Sequence, residues 1–322
     1  MAILLTEKDL EPLYKNPAVM DGLLELIEES LRAHNRGQVT GLARLDISLV
    51  DPKKKLRVTT AAVPGAGGAM RINALFRAKD GHFILLFDAE SGDLVALIDG
   101  RELNVWRTGA PAGVASRYLA PPGAKTLGLL GSGRQGRGQL LAIRRALSGL
   151  ERVRIFSPTK DHRERYAKEM SQWLGIKVEA VDYPEAAVKG ASIVSLATSS
   201  RSTVVEPEWI ASGALVISIT SGQLPEKLIA QSRVIVSWKN EALGGDPPRQ
   251  PYASMIAAGK WSGANIAGEL GEVILGKVPA RLNDSEVVIF ESVGMHAWDS
   301  CAAAWAYRWA LEQQAGTSFT LG

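Results

Sequence analysis

A glycine-rich stretch near the middle of the chain constrains the fold more than any other feature. Residues 126–139 read TLGLLGSGRQGRGQ, in which an apolar run leads into three glycines at G-x-G-x-x-G spacing and then into a helical pattern. In a strand–turn–helix unit, the first glycine permits a tight turn, the second lets the backbone approach a pyrophosphate, and the third lets the helix pack against the strand. We therefore predict a dinucleotide site, the alternative being a tight turn that binds no ligand. The residues expected to contact the cofactor are Gly131, Ser132, Gly133, Arg134, Gln135 and Gly136.

Strands alternate with helices from this stretch onward. Apolar runs predict strands at 126–130, 152–156, 177–181, 193–197, 215–219, 233–236 and 287–290. Alternation with helical segments specifies a parallel sheet with crossover connections. Residues 240–250 break both periods and predict an irregular loop, whereas residues 264–275 predict a helix.

The preceding hundred residues have a different pattern. Residues 17–34 predict an amphipathic helix, and between Thr40 and Gly100 the period falls to two, which indicates a mainly antiparallel sheet. Residues 292–314 predict an Ala- and Trp-rich helix at the other end of the chain. We expect this sheet and the terminal helix to form one domain.

The predicted fold is therefore α/β with two domains. A Rossmann-type parallel-sheet domain, residues 121–287, is inserted into a split α+β domain made of residues 1–120 and 288–322.

Composition and charge exclude several classes of protein. The chain has 322 residues and a net charge of +3, with Lys and Arg interspersed among Asp and Glu, so we expect no nucleic-acid partner. No apolar run is long enough to span a membrane, and the N-terminus lacks the pattern of a secretory signal. Cys301 is the only cysteine, which excludes an internal disulfide and a cysteine-rich metal site. We expect no bound metal, no membrane partner and a cytoplasmic location.

The end of the second predicted parallel strand bears on the choice of cofactor. An acidic residue there would bind the ribose hydroxyls of NAD, whereas basic and hydroxyl groups suit the 2′-phosphate of NADP. Ser157 stands where the acid would be, and Thr159, Lys160 and Arg163 follow closely. We therefore favour NADP(H) over NAD(H), the alternative being that Asp161 serves the ribose from a shifted register.

Two further strand ends carry hydroxyl groups. Thr198 and Ser199 follow one strand, and Thr220 and Ser221 follow the next. Ligands of open parallel sheets bind at the carboxyl ends of strands, so these side chains are cofactor candidates. Capping of local backbone is the alternative role for each hydroxyl.

Arginines and one histidine–carboxylate pair are the candidates for chemistry. Arg107 precedes the nucleotide domain and can clamp a carboxylate, as can Arg44 and Arg71 on predicted strands, although a surface role is the alternative for any single arginine. His296 and Asp299 fall within one helical turn and allow a general-acid role, with a buried polar pair as the alternative. Neither a G-x-S-x-G nor a Ser-x-x-Lys hydrolase motif occurs.

Four stretches together resemble the ornithine cyclodeaminase/mu-crystallin family: residues 97–120, 127–140, 269–281 and 287–307. The resemblance implies a Rossmann domain inserted into a split substrate-binding and dimerisation domain, and a homodimer. Family members include cyclodeaminases that use NAD catalytically, alanine dehydrogenases and NAD(P)H-dependent imine reductases. Fold alone does not choose among these activities.

The resemblance also assigns roles to individual residues. Arg107 matches the arginine of the family's RT-A motif and would hold the substrate carboxylate, and Arg44 is similar to an upstream arginine with the same role. Thr108, Val293 and Gly294, which lie in the matching stretches, would belong to the cofactor site.

Two departures from the family pattern affect the reaction type. Where the family usually has Gly-x-Lys, this chain has Met70-Arg71, so Arg71 would have to replace a substrate-binding lysine. Where cyclodeaminases carry an aspartate after the fifth strand, this chain has Gly222-Gln223. The family assigns to that aspartate the handling of amine and water, so ornithine cyclodeamination is disfavoured.

Hydride transfer is the chemistry that these departures leave intact. We expect an NAD(P)H-dependent reductase or dehydrogenase that converts a small 2-imino acid, or a 2-oxo acid plus an amine, into an amino acid. An additional cation at Arg71 would favour a dicarboxylic imine such as iminosuccinate. A cyclodeaminase and a non-catalytic NADP(H)-binding protein similar to mu-crystallin are the alternatives.

Overall fold

The structure, a computed structural model, describes residues 1–49, 51, 54–75, 81–244 and 249–320. Contacts within the chain define two compact units. Unit 1 comprises residues 1–107 and 295–322, and unit 2 comprises residues 108–294. The domain boundaries at residues 120/121 and 287/288 remain a prediction from the sequence.

Strands and helices alternate through most of the described chain. The strands are β1 (Ala2–Leu5), β2 (Thr40–Ser48), β3 (Lys55–Val63), β4 (Gly67–Leu75), β5 (Gly81–Phe87), β6 (Leu94–Asp99), β7 (Thr126–Leu130), β8 (Arg152–Phe156), β9 (Lys177–Ala180), β10 (Ile193–Leu196), β11 (Leu215–Ser218), β12 (Arg233–Val236), β13 (Ile266–Glu269), β14 (Val288–Glu291) and β15 (Thr317–Phe319). The α-helices are α1 (Glu11–Lys15), α2 (Met20–Asn35), α3 (Leu103–Leu119), α4 (Arg134–Ala146), α5 (Lys160–Leu174), α6 (Pro184–Val188), α7 (Glu226–Ala230), α8 (Lys239–Gly244), α9 (Tyr252–Ala257), α10 (Leu270–Ile274) and α11 (Ala297–Glu312). Short 3-10 helices lie at Pro17–Val19, Pro207–Trp209 and Gly263–Asn265.

Unit 1 is built on a seven-stranded sheet with strand order β15-β1-β6-β5-β4-β3-β2. Its pairs are antiparallel except that β1 runs parallel to β6. Side chains alternate between the two faces of a strand, and Ala61 and Ala69 face inward, where α11 packs against β3, β4 and α2. The Ser300 hydroxyl donates to the Ala61 carbonyl, and the Trp305 indole donates to the Val19 carbonyl. The first and last parts of the chain therefore share one core.

Unit 2 is built on an eight-stranded sheet with strand order β13-β12-β14-β11-β10-β7-β8-β9, in which every pair is parallel. The chain proceeds outward from β7 to β9 on one side and from β10 on the other, so the strand order reverses between β7 and β10. Ligands of such sheets bind at the carboxyl ends of the strands at this reversal. The predicted α/β fold, with a parallel-sheet domain inserted into a split α+β domain, is confirmed.

The structure corrects three local predictions. Residues 264–275 do not form one helix, because Ile266–Glu269 pairs with β12 as an eighth parallel strand before α10 begins. The segment at 240–250 is helical up to Gly244, and the GGDPP part of it lies mostly outside the described residues. The terminal helix begins at Ala297 rather than at residue 292, since residues 292–295 form an irregular segment after β14 in which Gly294 has a φ of +90°.

In the part of the chain that the structure describes, helices are all too short or too polar to cross a membrane.

Candidate functional site

The glycine turn after β7 has two glycines that the fold requires and one that it does not. Gly131 has a φ of +112°, and a Cβ built there would lie 2.4 Å from the Ala197 carbonyl oxygen. A Cβ at Gly136 would lie 2.1 Å from the Gly131 carbonyl oxygen, where α4 packs against the turn. Gly133 has a φ of −84°, which any residue can adopt, and a Cβ there would meet open space. Open space above an exposed backbone at the start of α4 fits a dinucleotide pyrophosphate.

A tyrosine that the sequence reasoning missed supports this turn. Tyr166, on α5, donates its hydroxyl to the Gly136 carbonyl oxygen at 2.8 Å. Burial raises the pKa of the Tyr166 phenol well above its ordinary value, so the hydroxyl remains a donor. The helical pattern around Tyr166 predicts that its ring is buried. It does not predict the hydrogen bond, because the partner Gly136 lies 30 residues away in sequence.

The end of β8 brings together the residues predicted to select the cofactor. Ser157 is buried, and its hydroxyl lies 2.8 Å from that of Ser132 in the glycine turn. Thr159 and Lys160 are exposed at the start of α5. Arg163 is buried and donates to the carbonyl oxygens of Ser157 and Pro158 at 3.1 and 3.3 Å, and to the carboxylate of exposed Asp182. Arg163 therefore supports the backbone of this turn, while Lys160 is the basic group that faces solvent.

The turns after β10 and β11 are joined by Gln223. Its amide donates to the Thr198 carbonyl and hydroxyl oxygens at 3.0 and 2.8 Å, and to the Ser200 carbonyl at 2.8 Å. Thr220 also donates its hydroxyl to the Thr198 carbonyl at 3.3 Å. Ser199 is exposed beside these contacts. Fully buried Gln223 thus occupies the position expected for a reactive aspartate and uses its amide to hold two turns together.

The segment after β14 carries the other predicted cofactor residues of unit 2. The Val293 amide donates to the Ser237 hydroxyl at 3.2 Å, and Gly294 has a positive φ. Thr108, at the start of unit 2, accepts a hydrogen bond on its carbonyl oxygen from Gln139 of α4 at 3.0 Å. Their contacts to cofactor stay a prediction.

Unit 1 contains a cluster of two guanidinium groups, that of Arg71 buried and that of Arg107 partly buried, around one buried carboxylate. Asp299 Oδ1 accepts a hydrogen bond from Arg71 Nη1 at 2.9 Å and lies 3.1 Å from Arg107 Nε. The Thr59 hydroxyl donates to Asp299 Oδ2 at 3.2 Å, and Arg107 also donates to the Asn104 side chain at 2.5 Å. Two cations sharing one anion leave an excess of one positive charge. Such a cluster can bind a small carboxylate.

Arg71 shows the electrostatic consequence of this arrangement. Burial lowers the pKa of its guanidinium to about 10, with Asp299 opposing the shift and Arg107 adding to it. Its Nε is buried and makes no hydrogen bond to the described residues. A donor with these properties fits a site that gains an anion from a ligand.

Arg44 lies elsewhere on the sheet, exposed on β2. The register of β2 against β3 is irregular between Leu42 and Leu45, and Arg44 sits within this irregularity. The charge of Arg44 contributes to a lowered pKa of Asp46, whose main hydrogen-bond partner is Arg57. A role of Arg44 with substrate stays a prediction.

His296 is packed against the backbone of β2. A Cβ built on Gly41 would lie 2.3 Å from His296 Cδ2, so only glycine leaves room for this ring. The ring centroids of His296 and His34 are 6.4 Å apart. Burial lowers the pKa of His296 below its ordinary value, and His34 adds to the shift while Asp299 opposes it. The structure thus brings His296 and Asp299 to one end of α11, as the sequence predicted.

Within the described residues, no three His, Cys, Asp or Glu side chains are grouped in a way that could hold a metal ion. The side chains described above carry groups that can bind anions and transfer protons.

A dinucleotide cradle in one unit and a cationic cluster in the other define a class of nucleotide-dependent proteins that act on or bind small acids. The chain belongs to the ornithine cyclodeaminase/mu-crystallin family, whose model matches residues 15–314. The family resemblance that the sequence predicted is confirmed.

Three similar proteins are informative. Delta(1)-pyrroline-2-carboxylate reductase of Bacillus cereus is 34% identical over 239 residues, which cover 72% of each chain. Ketimine reductase mu-crystallin of Rattus norvegicus is 29% identical over 229 residues, covering 70% of this chain and 68% of that protein. The solved structure of Thermococcus litoralis Delta(1)-pyrroline-2-carboxylate reductase, in complex with NADH and L-proline, has a TM-score of 0.89 and 26% identity, and the match covers 98% of this chain and 100% of that one.

Proposed function

We propose that the protein is an NAD(P)H-dependent reductase that converts a small 2-imino acid into the corresponding amino acid. It is an oxidoreductase, and the activities of its pyrroline-2-carboxylate and ketimine reductase relatives agree with the predicted reaction. A cyclic imine such as Δ1-pyrroline-2-carboxylate is the first substrate to test. The buried cluster of Arg71, Arg107 and Asp299 is the chief support, because its excess positive charge fits a substrate carboxylate.

The two arginines would anchor the substrate. Arg107 is held by Asp299 and Asn104, so its guanidinium has a fixed orientation before substrate binds. Arg71 is held by Asp299 in the same way and takes the place of the lysine expected from the family. Such preorganisation lowers the entropy lost when a carboxylate is bound. Arg44 is a further candidate for the same role.

The cofactor would be held by unit 2. Bound NAD(P)H would supply the hydride that reduces the carbon of the C=N bond. The backbone at Gly133 would lie against the pyrophosphate, and the turns at Thr198 and Thr220 against the second nucleotide.

We further propose that NADP(H) is preferred over NAD(H). No acidic residue ends β8, and Ser157, Thr159 and Lys160 are suited to a 2′-phosphate. Replacement of Lys160 by Ala should reduce the ratio of kcat/KM with NADPH to that with NADH by about 10-fold, the effect of one charge-assisted contact. An unchanged ratio would exclude Lys160 from cofactor selection.

His296 is the group proposed to complete the proton balance. Asp299 accepts hydrogen bonds from Arg71 and Thr59, so its carboxylate acts as an acceptor and not as the proton donor. The lowered pKa of His296 keeps its ring neutral near pH 7, and a neutral ring can hold a water that protonates the product nitrogen.

Gln223 provides a physical reason against the cyclodeaminase alternative. Ring closure with loss of ammonia needs a group that can exchange protons with an amine, and an amide cannot do so. The Gln223 amide is also occupied by Thr198 and Ser200.

The reaction is tested by following the absorbance of NADPH and NADH with a panel of acids. The panel contains Δ1-pyrroline-2-carboxylate, and pyruvate, glyoxylate or oxaloacetate with ammonia or methylamine. Oxidation of the cofactor with formation of an amino acid supports the reductase. Tight cofactor binding without turnover over the whole panel would support the non-catalytic alternative, and proline formed from ornithine would support the cyclodeaminase.

A matched pair of glycine variants tests the cofactor site. Gly133→Ala places a methyl group in open space, so it should leave the melting temperature unchanged while weakening NAD(P)H binding. Gly136→Ala forces a Cβ against backbone and should lower the melting temperature itself. Unchanged cofactor affinity in Gly133→Ala would contradict the proposed position of the pyrophosphate.

We also propose that the protein forms a homodimer through the outer face of the unit 1 sheet. Leu42, Leu45 and Phe83 lie on this face and are 67%, 54% and 47% exposed. An exposed apolar sheet face of this kind is typical of protein interfaces. Light scattering coupled to gel filtration should report a dimer, and Leu42→Glu should shift it toward monomer.

A further inference from the structure

A second buried carboxylate lies in unit 2, at the carboxyl end of β14. Glu291 is 2% exposed, and its Oε2 accepts a hydrogen bond from Arg249 Nε at 2.7 Å and forms an ion pair with Arg249 Nη2. The Tyr252 hydroxyl donates to Glu291 Oε1 at 3.2 Å. Burial raises the pKa of the Glu291 carboxyl, and Arg249, Tyr252 and Ser218 oppose the rise. The charged form of Glu291 is therefore stabilised by these partners. A role for the cluster would explain why the fold buries this charge.

The partners of Glu291 belong to a segment that is attached to the turn after β11. Between Arg249 and Tyr252, the Gln250 amide donates to the Ser221 hydroxyl at 2.7 Å. The Gln250 carbonyl oxygen accepts a hydrogen bond from the Gly222 amide at 2.7 Å. Gly222 itself has a φ of +87° and leaves no room for a Cβ, since the Arg201 carbonyl oxygen would lie 2.5 Å away. The hydrogen bonds to Gln250 therefore tie the position of the turn at 220–222 to the position of residues 249–252.

Gln223 extends the same set of contacts to the turn after β10. It follows Gly222 directly, and its amide binds Thr198 and Ser200. A continuous set of hydrogen bonds therefore runs from Glu291 through residues 249–252 and 220–223 to residues 198–200. Glu291, residues 220–223 and residues 198–200 lie at the carboxyl ends of three neighbouring strands, in the sheet order β14-β11-β10.

The place of this set in the sheet indicates which part of a dinucleotide it would serve. The strand order reverses between β7 and β10, and a dinucleotide lies across such a reversal with one nucleotide on each side. The side of β8, with Ser157 and Lys160, suits the adenosine half. The side of β10, β11 and β14 is left for the nicotinamide half.

We propose that Glu291 is a positioning residue for the nicotinamide half of the cofactor. It acts through Arg249 and Tyr252, which fix the turns at 220–222 and 198–200 against which the nicotinamide nucleotide would bind. Glu291 is too deeply buried to contact the cofactor itself. This inference rests on the proposed use of NAD(P)H.

The experiment compares the whole cofactor with a fragment that lacks nicotinamide. Wild type and Glu291→Gln are titrated with NADPH and with 2′-phospho-ADP-ribose by calorimetry, and with NADH and ADP-ribose in parallel. Glu291→Gln keeps the size of the side chain but removes the charge that holds Arg249. We expect the affinity for the whole cofactor to fall about 10-fold and the affinity for the fragment to change less than about twofold.

Two further variants separate positioning from loss of stability. Tyr252→Phe removes one donor to Glu291 and should produce the same selective loss to a smaller degree. Arg281→Gln is the matched control, because this arginine donates to the carbonyl oxygens of Leu119 and Glu286, before the amino ends of β7 and β14. It should destabilise unit 2 without discriminating between cofactor and fragment. If Glu291→Gln does not fold, Tyr252→Phe carries the test alone.

Equal weakening of fragment and whole cofactor, or no weakening of either, would overturn the inference. Wild-type protein that binds cofactor but reduces no imine would overturn the proposed reaction and leave this inference standing. Wild-type protein that binds neither cofactor nor fragment would overturn both.

Discussion

The two units each bury one carboxylate against arginine, and the two clusters differ in their balance of charge. In unit 2, Glu291 faces one guanidinium, that of Arg249, and accepts a further hydrogen bond from Tyr252. In unit 1, Asp299 is shared by Arg71 and Arg107. Both carboxylates are nearly inaccessible, with 2% and 4% of the residue exposed.

We expect this difference in charge balance to separate a structural role from a binding role. A buried charge is tolerated when it is paired and hydrogen bonded, and the Glu291 cluster meets this condition within its own unit. The Asp299 cluster does not, since the guanidinium groups of Arg71 and Arg107 share a single carboxylate. Excess buried charge destabilises a fold unless a ligand compensates it. We therefore expect substrate to complete the unit 1 cluster and expect the unit 2 cluster to need no ligand.

The largest effect is expected from removing one arginine of the unbalanced cluster. Arg107→Ala should raise the KM for the imino acid and lower kcat/KM by about 100-fold or more, as expected for loss of a charge-assisted contact to a desolvated carboxylate. Arg249→Ala should instead raise the KM for NAD(P)H and leave the KM for the imino acid nearly unchanged. Steady-state kinetics with each substrate varied separately measures both quantities.

Arg101→Ala provides the control for this comparison. Arg101 pairs with Glu7 and Asp99 in unit 1, in a partly exposed position, and its loss should leave both KM values unchanged. The proposed distinction between the clusters fails if Arg107→Ala and Arg249→Ala alter the same KM.

An intermediate effect is expected from neutralising the shared anion. Asp299→Asn leaves both guanidinium groups uncompensated, so it should destabilise the apo protein by about 3 kcal/mol. The added positive charge should also shift the ratio of kcat/KM for iminosuccinate to that for Δ1-pyrroline-2-carboxylate about 10-fold toward the dicarboxylate. Denaturant unfolding and the two rate constants measure these changes.

The sequence alone led us to expect a dicarboxylic imine, but the ion pairs of Asp299 reverse that expectation. Wild type should prefer the monocarboxylate, because Asp299 already neutralises one of the two cations. Asp99→Asn, in the partly exposed pair with Arg101, is the matched control and should alter neither stability nor selectivity strongly. A wild-type enzyme that prefers iminosuccinate would show that the excess charge is larger than the cluster alone supplies.

The sequence was sufficient for features that local spacing defines. The glycine turn, the parallel strands and the period-two sheet each depend on residues a few positions apart, so their patterns remain visible along the chain. The eighth parallel strand was missed because Ile266–Glu269 directly precedes α10, so that its apolar residues were assigned to one helix together with those of α10. Its pairing with β12, rather than its own composition, makes it a strand.

The candidate site was less predictable because its contacts are distant in sequence. His296 and Asp299 could be linked by helical spacing, but the partner Arg71 lies 228 positions from Asp299. Arg163 illustrates the opposite difficulty. Its charge indicated phosphate binding, whereas its hydrogen bonds go to the backbone at Ser157 and Pro158 and to the carboxylate of Asp182. The sequence identifies charged residues, and only the fold determines which charges are already neutralised.

The smallest effect is expected from His296, which borders the unbalanced cluster without joining its ion pairs. Burial and His34 lower the pKa of His296 below 6.5, so the folded protein binds this proton more weakly than the unfolded chain does. The contribution of a neutral His296 to stability is therefore fully present above pH 6.5 and is lost as the pH falls through the lower folded value. Wild type should melt at a lower temperature at pH 5 than at pH 7.5, and His296→Gln should reduce that difference by only a few degrees.

His162→Gln is the control, because His162 is exposed on α5. Its replacement should leave the difference in melting temperature between pH 5 and pH 7.5 as it is in wild type. Because Asp299 opposes the lowered pKa of His296, Asp299→Asn should make the loss of stability in acid steeper. If Asp299→Asn instead leaves the acid slope unchanged, then His296 does not sense the charge of the cluster. Its proposed part in proton transfer would then have to depend on solvent or substrate alone.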